Sequence, residues 1–139
     1  MTAKQYLSQL RTLDIKINQK QDELYRLRCA AERVTPVQNE GIGGGGTSDK
    51  VGNITALIAD LDTEINADID RLVDLRHRVI NQIQALEDNR YIDILHRRYV
   101  EYKSLEQISV EMHYSYQPIR RMHGRALQAF DRMWLHNAT

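Results

Sequence analysis

Near the N-terminus, Tyr6, Leu10, Leu13, Ile17, Lys20, Leu24, Leu27, Ala31 and Val34 follow one another at alternating spacings of four and three. A period of 3.5 residues belongs to one structure, a helix with a narrow seam that another helix must cover. Lys20 is the single polar interruption of that seam. The beat resumes as Val51, Ile54, Ile58, Leu61, Ile65, Asp68, Leu72, Leu75, Val79, Gln82 and Leu86, and Ile69, Ile80 and Ile83 widen this second stripe. A wider stripe has room for more than one partner helix.

Between the two runs stand Pro36 and the sequence GIGGGG, Gly41 to Gly46. Proline ends a helix and consecutive glycines maximise backbone freedom. The pattern predicts helices over about 3–34 and 49–87 and a flexible connection over 36–48, with Thr2 capping the first and Ser48 or Asp49 the second. Two long helices joined this way fold back as an antiparallel hairpin. A phosphate-cradling loop needs a preceding strand and a GK[ST] ending. Gly46 is followed instead by Thr47, Ser48, Asp49 and Lys50.

A two-helix hairpin buries little apolar surface per residue, so residues 6–86 are expected to pair chains as a homodimer or higher homo-oligomer. Asp60, Glu64 and Asp68 recur every fourth residue, as do Asp70 and Asp74. Metal sites in helical bundles add a Glu-x-x-His pair to such acids; none is present, and the acids read as a solvated face.

After Leu86 the heptads stop. Asp88 is a suitable N-cap for a helix carrying Tyr91, Ile94, Leu95, Tyr99 and Val100. Tyr102-Lys103 makes a turn, and Ser104 with Gln107 forms a capping box that opens a short helix with Leu105, Ile108 and Met112 inward. His113-Tyr114 turns the chain again, and Ser115 caps a last helix with Ile119, Met122, Ala126, Leu127 and Phe130 as its buried stripe. The fold class expected is therefore all-α, a long antiparallel coiled-coil hairpin over 1–88 followed by a small trihelical domain over 89–139.

A short helix and a tight turn before a basic helix form the pattern of a helix-turn-helix. Ile108, small Ser109, Met112, Tyr114, Ser115, Ile119 and Met122 fill that motif's apolar, small, apolar, apolar, cap, apolar and apolar places. Charge agrees with it. The chain has no net charge, yet residues 90–139 carry +3 and residues 1–89 carry −3.

The stretch YIDILHRRYVEYKSLEQISVEMHYSYQPIRRMHGRALQAF, Tyr91 to Phe130, resembles region 4 of the bacterial sigma-70 family. It is also similar to phage and prophage late-transcription regulators of the ArpU and RinA type, and the whole chain resembles a family of such prophage proteins. The resemblance implies a regulator that binds double-stranded DNA in the cytoplasm of a bacterial host, with a hairpin that pairs chains or contacts RNA polymerase. Two positions depart from the pattern. His113 stands where the turn usually has glycine, and Pro118 stands where sigma factors carry a polar side chain.

With Ile119, Met122, Ala126 and Phe130 inward, Tyr116, Gln117, Arg120 and Arg121 take the base-reading places of the last helix. Glutamine pairs with adenine and arginine with guanine, and Tyr116 reaches a thymine methyl or a phosphate. Lys103, Ser115, His123 and Arg125 are expected at phosphates. Gly124 lowers helix propensity, for which a close backbone approach is one reason.

Other chemistries have less behind them. His96, His113, His123 and His136 lack the paired cysteines or compact spacing of a zinc site, so no metal and no cofactor is expected. Cys29 is alone, which fits a reducing compartment, and it is expected to pack rather than react. No Ser–His–acid set can be assigned and an enzyme is not expected. No apolar run reaches the roughly 18 residues of a membrane span, and the N-terminus does not read as a signal peptide. Two further classes share the plan: a DNA-packaging adaptor of the small-terminase kind, and a coiled-coil module that binds only protein.

Overall fold

A computed structural model describes residues 1–34 and 45–136. Among them every regular element is helical, as the hydrophobic periods require. Helix α1 is Ala3–Val34 and α2 is Gly45–Gln84; α3 is Asn89–Leu95, α4 is Leu105–Met112 and α5 is Tyr116–Phe130. Both α3 and α5 run on into a π-helical turn, His96–Val100 and Asp131–Leu135 respectively. The flexible connection expected at 36–48 lies outside the described residues as far as 44, and Gly45 to Ser48 belong to α2. Neither Ser48 nor Asp49 is the N-cap of α2. Once nucleated, a helix gains one hydrogen bond per added residue, which favours extending it upstream. At its other end α2 stops at Gln84, three residues before the expected 87.

Three of the five expected N-caps form side-chain bonds. Thr2 and Gln5 bond reciprocally, Gln5 N donating to Thr2 Oγ1 at 3.1 Å and Thr2 N to Gln5 Oε1 at 2.9 Å. Asp88 accepts the Arg90 N–H at 2.9 Å to start α3. Ser104 and Gln107 form the capping box of α4. Each satisfies amide groups that a helix start otherwise leaves without partners.

Packing divides the chain differently from a boundary at residue 88. Met1–Asp14 and Leu72–Thr139 make one compact unit, and Ile15–Arg71 makes the other. In the first unit Ala3, Leu7 and Leu10 of α1 and Val79 and Ile83 of α2, with Leu86, share a single core with Ile94, Leu95, Tyr99, Val100, Ile108, Ile119, Met122, Ala126 and Phe130. Tyr6 makes the junction specific. Its ring lies 5.9 Å from that of Phe130, and its hydroxyl donates to Gln82 Oε1 at 2.7 Å. Trp134 Nε1 donates to the Gln82 carbonyl at 3.0 Å. Three short helices alone enclose few residues completely; sharing a core with the ends of two long helices supplies the missing apolar cover.

In the second unit Ile17, Leu24 and Ile65 are buried, together with one carboxylate, Asp68. Lys20 Nζ lies 2.6 Å from Asp68 Oδ2 and 3.5 Å from Glu64 Oε1. The two charged members of the heptad stripes therefore meet each other across the helix pair. Asp68 does not belong to a solvated acidic face, because Lys20 and Arg71 neutralise it in place. The Lys20 hydrogen bond, and Arg71 after it, hold its carboxyl below the usual carboxylate range.

Candidate nucleic-acid interface

The turn between α4 and α5 sets the site. His113 closes α4 in the left-handed conformation, φ 61° and ψ 39°, the place where glycine is usual. Its N–H and that of Tyr114 return to the carbonyls of Val110 and Ser109 at 3.3 and 3.0 Å, ending the helix. Ser109 is buried, as a close helix crossing demands, and its hydroxyl donates to the Glu106 carbonyl at 2.7 Å. Pro118 falls in the first turn of α5, where its missing N–H removes no bond.

From there α5 presents two faces. Ile119, Met122, Ala126 and Phe130 are buried as the sequence spacing requires. Tyr116, Gln117, Arg120, Arg121, Gly124 and Arg125 are exposed. None of the three arginines enters an ion pair among the described residues. Ser115 occupies the N-cap position in extended conformation, but its side chain makes no capping bond, which leaves the hydroxyl exposed for other partners. A Cβ added to Gly124 would meet nothing within 4 Å, so no packing inside the chain requires glycine there.

The exposed face is itself divided. Gln117, Arg120 and Gly124, spaced three and four apart, form one row. Arg121 and Arg125 form the neighbouring row, turned toward Tyr91 and Tyr114.

Two of the expected phosphate contacts stand elsewhere. His123 is turned inward: its ring stacks on Tyr99 with centroids 5.7 Å apart, and its Nε2 lies 2.8 Å from the Tyr99 hydroxyl. Burial, with Arg98 and Lys4 nearby, pushes its pKa down to about 4, so the imidazole is neutral at pH 7 and brings no charge to the face. Burial raises the Tyr99 hydroxyl to about 12, which keeps that partner neutral too. The spacing Ile119, His123, Ala126, Phe130 is four, three, four, and carries the signal for an inward histidine.

Lys103 is held within an ion cluster. Its Nζ lies 3.0 Å from Glu111 Oε1 and 3.6 Å from Glu101 Oε2. Arg97 bonds the same Glu111 oxygen at 2.5 Å and Asp93 at 2.6 Å. The Glu111 carboxyl is lowered by Lys103 first and Arg97 second. This network ties the turn before α4 to the last turn of α4, a positioning task rather than a free cation.

Among the described residues no group of three or more His, Cys, Asp or Glu side chains is arranged to hold a metal ion. No helix among them is long and apolar enough to cross a membrane. No family model, curated protein or solved structure matches the chain.

Proposed function

We propose that the chain is a sequence-specific DNA-binding transcriptional regulator whose α4–turn–α5 unit enters the major groove of duplex DNA and whose long helices pair chains. The observation that carries this reading is the outer face of α5. It bears three exposed arginines without ion pairs among the described residues, plus Gln117 and Tyr116, beyond a left-handed turn and opposite the buried Ile119, Met122, Ala126 and Phe130. Unpaired guanidinium groups on a rigid helix suit base edges and phosphates, because their bidentate geometry matches both. In this reading Tyr116, Gln117, Arg120 and Arg121 face base edges, and Ser115 and Arg125 face phosphates.

Chain pairing is supported by what the second unit leaves uncovered. Ile15 and Leu57 are 45% and 52% exposed there, beside a core of very few residues. The resemblance to prophage regulators with a sigma-like C-terminus points the same way, and contact with RNA polymerase belongs to that resemblance. Selection of bound fragments from random duplex DNA tests the reading. Enrichment of one motif supports it, and recovery of unenriched sequence at low salt contradicts it.

A further inference from the structure

Beside α5 lies a cleft of about 210 Å³ lined by Arg90, Tyr91, Tyr114, Pro118, Arg121, Met122 and Arg125. That volume is ample for one tetrahedral anion with part of its hydration. Among the described residues that line it are three arginines and no aspartate or glutamate. Arg121 and Arg125, one helical turn apart, are without ion pairs among the described residues. Arg90 comes from a different helix. Its Nη2 is 3.0 Å and its Nε 3.2 Å from the Asp88 carboxylate, which orients it at the start of α3. Arg121 and Arg125 thus bring two positive charges to one concavity, which attracts an anion, and Tyr91 and Tyr114 line it as well.

We propose that this cleft is a phosphate-binding site in which Arg90, Arg121 and Arg125 clasp one phosphate group, with the backbone of bound duplex DNA as its source. That source rests on the DNA-binding reading above; the cleft itself does not. The assignment moves Arg121 from base reading to backbone contact. It also brings Arg90, outside the helix-turn-helix pair, into the interface. Such a contact fixes the tilt of α5 in the groove and is blind to sequence.

The test has two arms on the full chain. In the first, inorganic phosphate is titrated while the arginine side-chain Nε–H signals are followed by NMR. Saturable shifts at Arg90, Arg121 and Arg125 but not Arg120, lost in Arg90→Ala and Arg121→Ala, are expected. Arg90→Ala keeps the α3 cap, since Asp88 accepts the backbone N–H of residue 90, and Arg90→Lys should retain part of the response. In the second arm, Arg90→Ala should weaken duplex binding about tenfold on every sequence. It should also lower the salt slope by about 0.9. A phosphate response with duplex affinity unchanged by Arg90→Ala overturns the DNA source and assigns the cleft to a free phosphate compound. Absence of the phosphate response, with duplex binding equal in wild type and Arg90→Ala, overturns the site while leaving the DNA reading intact. If the wild type ignores duplex altogether, the DNA reading fails and the phosphate arm alone decides the cleft.

Discussion

Lys20 Nζ and Asp68 Oδ2, 2.6 Å apart, join the only lysine of one heptad stripe to the only carboxylate of the other. Each residue taken singly breaks its apolar seam; together they satisfy one another. Such a pair fixes register better than it stabilises, since any sliding of the helices strands both charges. Lys20→Met should therefore lower the thermal midpoint by leaving Asp68 with Arg71 alone, and Asp68→Leu should lower it by leaving Lys20 with Glu64 alone. The double variant should recover most of the loss. Circular-dichroism melting of the four proteins measures the coupling, and simple additivity would contradict it. The folded carboxyl is depressed. The pair thus contributes fully above the ordinary aspartate range near 3.9, and the contribution disappears as pH falls through the lower folded value.

His113 occupies a left-handed conformation that glycine adopts without steric cost. His113→Gly should stabilise the protein by about 0.5–1 kcal/mol, and His113→Val should cost about 1–2 kcal/mol, because a branched Cβ suits positive φ poorly. Urea midpoints decide it. A destabilising glycine would mean that the histidine side chain supports the turn in some other way.

His123 gives the pH dependence a sign opposite to that of a histidine gaining an anionic partner. Its folded pKa, about 4 and lowered first by burial, lies below the unfolded value near 6.5. Stability is full above about 6.5 and falls as pH drops toward 4, since only the unfolded chain then takes the proton. The ring is partly exposed, so solvent screening reduces the effect to the order of 1–2 kcal/mol. His123→Gln should flatten that limb of the stability profile, and an unchanged profile would contradict the assignment.

Gly124 separates stability from binding. Alanine there meets nothing within 4 Å and should raise stability by about 1 kcal/mol through helix propensity. If duplex approaches α5 closely at this point, the same substitution weakens DNA binding. A stabilised variant with unaltered affinity would remove Gly124 from the interface.

Arg120→Ala and Gln117→Ala should each cost roughly 1–3 kcal/mol on the preferred sequence and relax specificity at one position. Arg125→Ala should weaken all duplexes alike and flatten the salt dependence. Equal losses on every sequence from all three would abolish the division of α5 into two rows.

What the sequence revealed was local. Thr2, Asp88 and the Ser104–Gln107 box cap their helices through neighbours two or three residues away, and Ile119, Met122, Ala126 and Phe130 repeat at helical spacing. What it concealed was long-range. Lys20 meets a partner 48 residues away, and Tyr6 packs on a ring near the far end of the chain. Lys103 is captured by Glu111 across the length of α4. Arg90 reads as the start of a helix until the fold brings α5 beside it. Periodicity gives which face turns inward, but not which element covers it or which charges meet across the gap.

Duplex binding measured against salt tests the central claim most directly. Fluorescence anisotropy of a labelled duplex selected for the chain should show saturable binding that weakens linearly in log Kd against log salt. The triple substitution Arg120→Ala, Arg121→Ala and Arg125→Ala should abolish it without unfolding the protein. Affinity that is indifferent to salt, or that survives loss of all three arginines, would contradict the account.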